Sequence, residues 1–251
     1  MVKEVKRSIA QHIRRVTDRH DLWSVWSDFV EMSAIAVSNG VDLVHRAERE
    51  ARYMAIVDKY SRSEPQAVAR FAEAFGALVV EFEGGIDDVL GRTFMDFELG
   101  SKWAGQFFTP FSICRMMAEL QVGDMPALVA ERGFVTASDP AVGAGAMPLA
   151  LCAAMHDAGI NYQNHLHVTA QDIDERAAHM AYIQLALVGV PATVIVGDTL
   201  RMETRAVWYT PAHVMGGWSM RLASRERQPR LQPPARQPER PVPSPAQLVL
   251  I

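Results

Sequence analysis

From about Val5 to Leu90 the apolar positions recur in steps of three and four: Ile9, Ile13 and Val16, then Leu22, Val25, Trp26, Phe29, Val30 and Met32, and later Val68, Phe71, Phe75, Leu78, Val79 and Phe82. That periodicity predicts amphipathic helices, interrupted near residues 61–65 and at Gly84-Gly85. Trp23, Trp26 and Phe29 share the helical spacing and are read as core, where large aromatic side chains bury most surface. Another helix is expected over about residues 111–120. Beyond it the period changes. Residues 135–138 are a short β-branched run, and a helix-compatible apolar segment over residues 149–158 stops at Gly159. The alternation then repeats as a strand at residues 165–170, a helix at 175–187 and a strand at 193–196. A fourth strand is expected around residues 206–209.

Between the first strand and its helix lies Asp139-Pro140-Ala141-Val142-Gly143-Ala144-Gly145. Two glycines separated by one residue let the backbone turn sharply and allow a ligand to lie directly on the main chain. Pro148 suits a first helical turn, where its missing N–H has no partner to lose. The free N–H groups and the positive end of that helix face the loop, ready for a carboxylate or phosphate, so a nucleotide-like ligand is expected.

Composition narrows the class. The chain has 251 residues, 49% hydrophobic and 22% charged, with a formal net charge of -4. That is an ordinary globular balance, and it argues against gripping nucleic acid over the whole surface. The basic residues Lys3, Lys6, Arg7, Arg14, Arg15 and Arg19 at one end, and Arg225, Arg227, Arg230, Arg236 and Arg240 at the other, are read as a solvated helix face and a disordered tail. No apolar run approaches a membrane span and no signal-peptide core is present, so a cytoplasmic protein is expected. Cys114 and Cys152 sit in apolar helical segments without ligand spacing, and no metal is implied. His165, His167 and His179 likewise have no partner spacing and are taken as structural.

Asp139-Pro140-x-x-Gly143-x-Gly145 resembles the S-adenosylmethionine (SAM) loop of the adenine-N6 DNA methyltransferases, above all the modification subunits of type I restriction systems and their plasmid or phage relatives. Further segments match in order. Gln106-Phe107-Phe108-Thr109-Pro110 is similar to the family segment whose aromatic and Thr pack against the methionine end of SAM. Locally, Thr109 is expected to cap the next helix with Pro110 in its first turn. Gln171-Asp172 matches the end of the family's second strand, which places Asp172 on the ribose hydroxyls and leaves Asp174 to cap the helix that follows. Gly197-Asp198-Thr199-Leu200 matches the turn whose Asp accepts from the SAM adenine amine. The resemblance covers about residues 96–200 and implies an α/β, Rossmann-like SAM-dependent methyltransferase sheet. It also implies SAM as cofactor, DNA as partner, and methyl transfer to adenine N6. The cofactor set it implies is Phe107, Phe108, Thr109, Asp139, Pro140, Gly143, Gly145, Asp172 and Asp198.

The family holds its target base with Asn/Asp-Pro-Pro-aromatic at the end of strand four, and this chain has no such tetrapeptide. Tyr209-Thr210-Pro211 falls roughly there and supplies the only local catalytic candidates: Tyr209, Thr210 and Pro211. A rotatable hydroxyl cannot fix an amine as an amide oxygen does. The family sheet has about seven strands, so this one is expected to be incomplete. Truncation or a frame change near residues 221–225, where the composition turns Pro/Arg-rich, is one expected origin. The organisation read from the sequence is a helical region (1–95), a SAM-binding methyltransferase-like domain (96–222) and a disordered tail (223–251). Two rivals stand beside the enzyme. One is a catalytically inactive SAM-binding or partner-binding remnant, self-associating or docking a specificity-type subunit. The other is a small DNA-binding regulator.

Overall fold

A computed structural model describes residues 8–17, 20–97 and 108–227. Among the described residues five helices come first: α1 (Ile9–Arg14), α2 (Leu22–Ser38), α3 (Arg46–Ser61), α4 (Ala67–Phe82) and α5 (Val89–Asp96). Local chemistry sets their starts. Ser8 and Gln11 form a reciprocal capping box on α1, the Asp21 carboxylate accepts from the N–H groups of Trp23 and Ser24, and the Asp88 carboxylate accepts from that of Gly91. Their apolar stripes meet in one core. Trp26 and Phe29 have no exposed surface, in keeping with their helical spacing. Trp23 is half-buried, with the Arg176 guanidinium 3.8 Å from its ring centre.

After α6 (Phe111–Val122) and α7 (Met125–Arg132) the chain alternates between strand and helix. The order is β1 (Val135–Asp139), α8 (Ala146–Asp157), the short α9 (Tyr162–His165), β2 (Leu166–Asp172), α10 (Glu175–Leu187), β3 (Ala192–Asp198), β4 (Glu203–Tyr209), α11 (Pro211–Met215) and α12 (Trp218–Arg227). The four strands form one sheet in the order β1-β2-β3-β4, the first three parallel and β4 antiparallel to β3. This is a mixed α/β fold whose sheet, among the described residues, is Rossmann-like in its three parallel strands. α8 and α10 touch each other and rest on the strands, while α2 packs against α10 and α6 against α8. Residues from Ile9 to Trp208 share a single hydrophobic core, so the early helices and the sheet bury surface against one another.

The two sheet edges differ. At β4 the Arg49 guanidinium donates to the outward carbonyl of Val207 at 3.0 Å and lies 3.8 Å from the Trp208 ring centre. At the other side β1 has no second strand neighbour among the described residues, and Thr136 and Ser138 are exposed. Ile113, Met116, Met117 and Leu120 on α6 are exposed as well. No described helix is long and apolar enough to cross a membrane. The described residues up to Trp218 form one compact unit, and the described residues from Ser219 on belong to a second. In the second, the described residues continue α12, whose last turn carries Arg225 and Arg227.

Candidate functional site

Asp139, Asp172 and Asp198 are the last residues of β1, β2 and β3. Because these strands are parallel, the three carboxylates emerge at one edge of the sheet, where ligands of open α/β folds bind. The turns that carry them are tied together. The Asp172 carboxylate accepts from the Gly143 N–H at 2.8 Å through one oxygen and from the Asp174 N–H at 2.9 Å through the other. Val142 N–H donates to the Gln171 carbonyl at 2.9 Å, and the Thr199 hydroxyl donates to the Pro140 carbonyl at 2.7 Å. Pro140 itself is exposed.

Both glycines of the loop are required where they stand. Gly143 has φ 56, and a Cβ there would lie 2.9 Å from the Phe108 ring. Gly145 has φ 102, and a Cβ there would lie 3.3 Å from the Ala181 backbone on α10. The loop is therefore pressed between an aromatic ring and a helix, and its next residues open α8. Phe108 is half-buried, leaving part of the ring on the surface of the loop.

The acidic groups have distinct settings. Burial pushes Asp172 above the ordinary carboxylate range, countered by its two backbone N–H donors. Burial raises Asp139 too, against the bond it accepts from Ala141 N–H. Asp198 uses Oδ1 to accept from the N–H groups of Leu200 and Arg201 at 2.9 and 3.1 Å, while Oδ2 is 3.7 Å from Arg201 Nε. Asp174 caps α10 through the Arg176 N–H, the role expected of it.

Other expected positions move. Pro110 is itself the cap residue of α6, and Thr109 makes no capping bond, because with Pro110 at the boundary Thr109 lies one residue outside it. The exposed Thr109 side chain is left uncommitted by any described hydrogen bond. Phe107 and Gln106 lie outside the described residues.

The larger correction concerns Tyr209, Thr210 and Pro211. Because β4 runs against β3, Tyr209 stands beside Thr193 at the beginning of β3. Asp198 is five residues further along that strand, about 17 Å away at a strand's ordinary rise. Thr210 is buried, its hydroxyl donating to the Val190 carbonyl at 2.7 Å and accepting from Ala192 N–H at 2.8 Å. The Tyr209 ring packs 4.7 Å from that of His213, which is 2.9 Å from His167 through their ring nitrogens. Tyr209, Thr210 and Pro211 thus serve the opposite edge of the sheet.

Sequence reasoning did not single out Ile173 and Leu200. Each follows a strand-end carboxylate by one or two residues, and each is an exposed aliphatic, Ile173 59% and Leu200 96% accessible. The only local signal was an apolar residue inside an otherwise polar turn. Against known proteins, a family model described as N-6 DNA methylase matches residues 89–216. No curated protein and no solved structure matches the chain significantly.

Proposed function

Since the chain belongs to the N-6 DNA methylase family, we propose that the edge formed by β1, β2 and β3 binds SAM. Two further readings rest on that proposal: methyl transfer to adenine N6 of DNA as the reaction class, and DNA as the partner. The observation that carries the proposal is the convergence of four separated segments, with Phe108 against Gly143, the Gly143 N–H on Asp172, and Thr199 on the Pro140 carbonyl.

The residues fit the ligand. Phe108 lies against a loop whose Gly143 leaves no room for a Cβ, with the exposed Thr109 next to it in the chain, a surface suited to the thin methionine portion. The Asp172 carboxylate, holding two N–H groups, retains lone pairs for ribose hydroxyls. Asp198 keeps Oδ2 clear of the two backbone N–H groups that bind Oδ1 and would take the adenine amine there, and the exposed Ile173 and Leu200 would offer aliphatic surface to the purine faces. Asp139 is the anion for a cationic group near the loop. When bound, SAM supplies an electrophilic methyl group; the chain's own part is to hold and orient it.

A second reading, favoured by the placement of Thr210, is that this chain alone binds SAM without transferring its methyl group. The hydroxyl expected to substitute for the family's amine acceptor is spent on the backbone at the far edge. Calorimetry with SAM tests the first reading: heat at micromolar to millimolar ligand supports it, with about tenfold weaker binding for Asp172→Ala and Asp198→Ala, as expected when a charged hydrogen-bond partner is removed. No heat at millimolar SAM overturns it. Incubation with labelled SAM and mixed DNA decides between the readings, and incorporation that disappears in Asp198→Ala overturns the second.

A further inference from the structure

Gln184 has no exposed surface and sits within α10. Its Oε1 accepts from the Leu90 N–H at 2.9 Å. Its Nε2 donates to Asp88 Oδ1 at 2.8 Å and to the Ala144 carbonyl at 2.8 Å. The same Asp88 oxygen accepts from the Gly91 N–H at 2.9 Å. Both amide donors and the amide oxygen are thus used, and the amide has one sense only, since an oxygen must face the Leu90 N–H. Three segments distant in sequence meet on this one side chain: the first turn of α5, α10, and the residue between the two loop glycines.

We propose that Gln184, held by Asp88, is a positioning residue for the SAM loop, and that α5 is the strut through which the N-terminal helices set the shape of that loop. The inference rests on the SAM-binding reading above. Two observations set it apart from an ordinary buried hydrogen bond. First, α5 reaches the loop by a second route: Phe94 packs 5.3 Å from Phe108, the ring that Gly143 leaves room for, and 6.1 and 6.3 Å from Trp23 and Trp26 on α2. Second, α5 carries a glycine where a side chain would expel the anchor: a Cβ on Gly91 would lie 2.1 Å from Asp88 Oδ2. Gly91 therefore lets Asp88 turn inward to Gln184. A buried amide whose donors and acceptor are all used holds one geometry, and removing any member of its network leaves the others unpaired.

The test uses the full chain, SAM as probe, and a temperature at which circular dichroism shows every variant folded. Gln184→Met and Gly91→Ala, the second acting from the far end of the network, should each weaken SAM binding about tenfold or more. Their combination should be no weaker than the worse single variant, because both break the same network. Ile56→Val, a core change on α3, should lower Tm and leave affinity untouched, whereas a purely structural role for Gln184 would make its variants behave the same way. Amide exchange at Gly143 and Gly145 without ligand should accelerate about tenfold in both hub variants. Unchanged SAM affinity in Gln184→Met and Gly91→Ala, or unchanged loop exchange, overturns the proposal. A wild-type chain that binds no SAM while its loop exchange still responds overturns the cofactor reading and supports the hub.

Discussion

Thr210 hydrogen-bonds Val190, Ala192 and the His213 N–H through a single buried oxygen. Thr210→Val keeps the shape and removes that oxygen, which should lower stability by about 2 kcal/mol in urea titrations and leave SAM affinity unchanged. Such a role is invisible in a sequence, where Tyr-Thr-Pro resembles a degraded motif as readily as a helix cap. The strand-end carboxylates were legible because each follows an apolar run and precedes a turn; Asp139, Asp172 and Asp198 do end their strands. His179 is a residue-scale case with a pH signature. Burial, with Arg49 nearby, pushes its pKa down to about 3, so the folded state keeps it neutral. The unfolded chain takes up that proton near the ordinary value of 6.5 and binds more protons below it, so stability should fall as pH falls. The slope is at most about 1.4 kcal/mol per pH unit, and denaturation between about pH 7 and 5.5 checks it, with His179→Leu flattening the profile. Asp139 and Asp172, raised by burial, act with the opposite sign nearer the carboxylate range.

At the scale of elements, the helices and parallel strands followed from periodicity, but the direction of β4 did not. Nothing in residues 199–202 distinguishes a tight reversal from the start of another crossover, except that only a few residues separate β3 from β4, too few for a helix. α7 is not legible in the sequence either, since only Met125 among its residues is buried and its apolar stripe is short. The long-range ties are the least legible. Gln184 in an apolar helix carries no local signal of its partners at Asp88, Leu90 and Ala144. Arg49 on α3 is similar: it bonds Ser38, Asp42 and the Val207 carbonyl. Burial alone would raise Asp42, but bonds from His45 and Arg49 hold it below the ordinary carboxylate range. Arg49→Met strips a buried carboxylate of its guanidinium and should cost about 3 kcal/mol in chemical denaturation. Gly143→Ala forces both a left-handed backbone and the Phe108 ring to yield, and should weaken SAM binding by about tenfold or more in calorimetry while α8 remains folded.

For the whole molecule, one continuous core joins the N-terminal helices to the sheet, so neither part has a complete apolar interior without the other. The sequence showed two regions because their periods differ, and could not show that α2 packs on α10. The contrast between the two flanks of the sheet matters at the bench. Where Arg49 caps the last strand, the described residues leave the first, Val135 to Asp139, without a strand neighbour on its outer side and with neither lysine nor proline to discourage a stranger's backbone, close in sequence to the exposed aliphatic side chains of α6. Concentrated samples should therefore grow in apparent mass by light scattering, and a single cation placed by Thr136→Lys should suppress that growth without altering the far-ultraviolet spectrum.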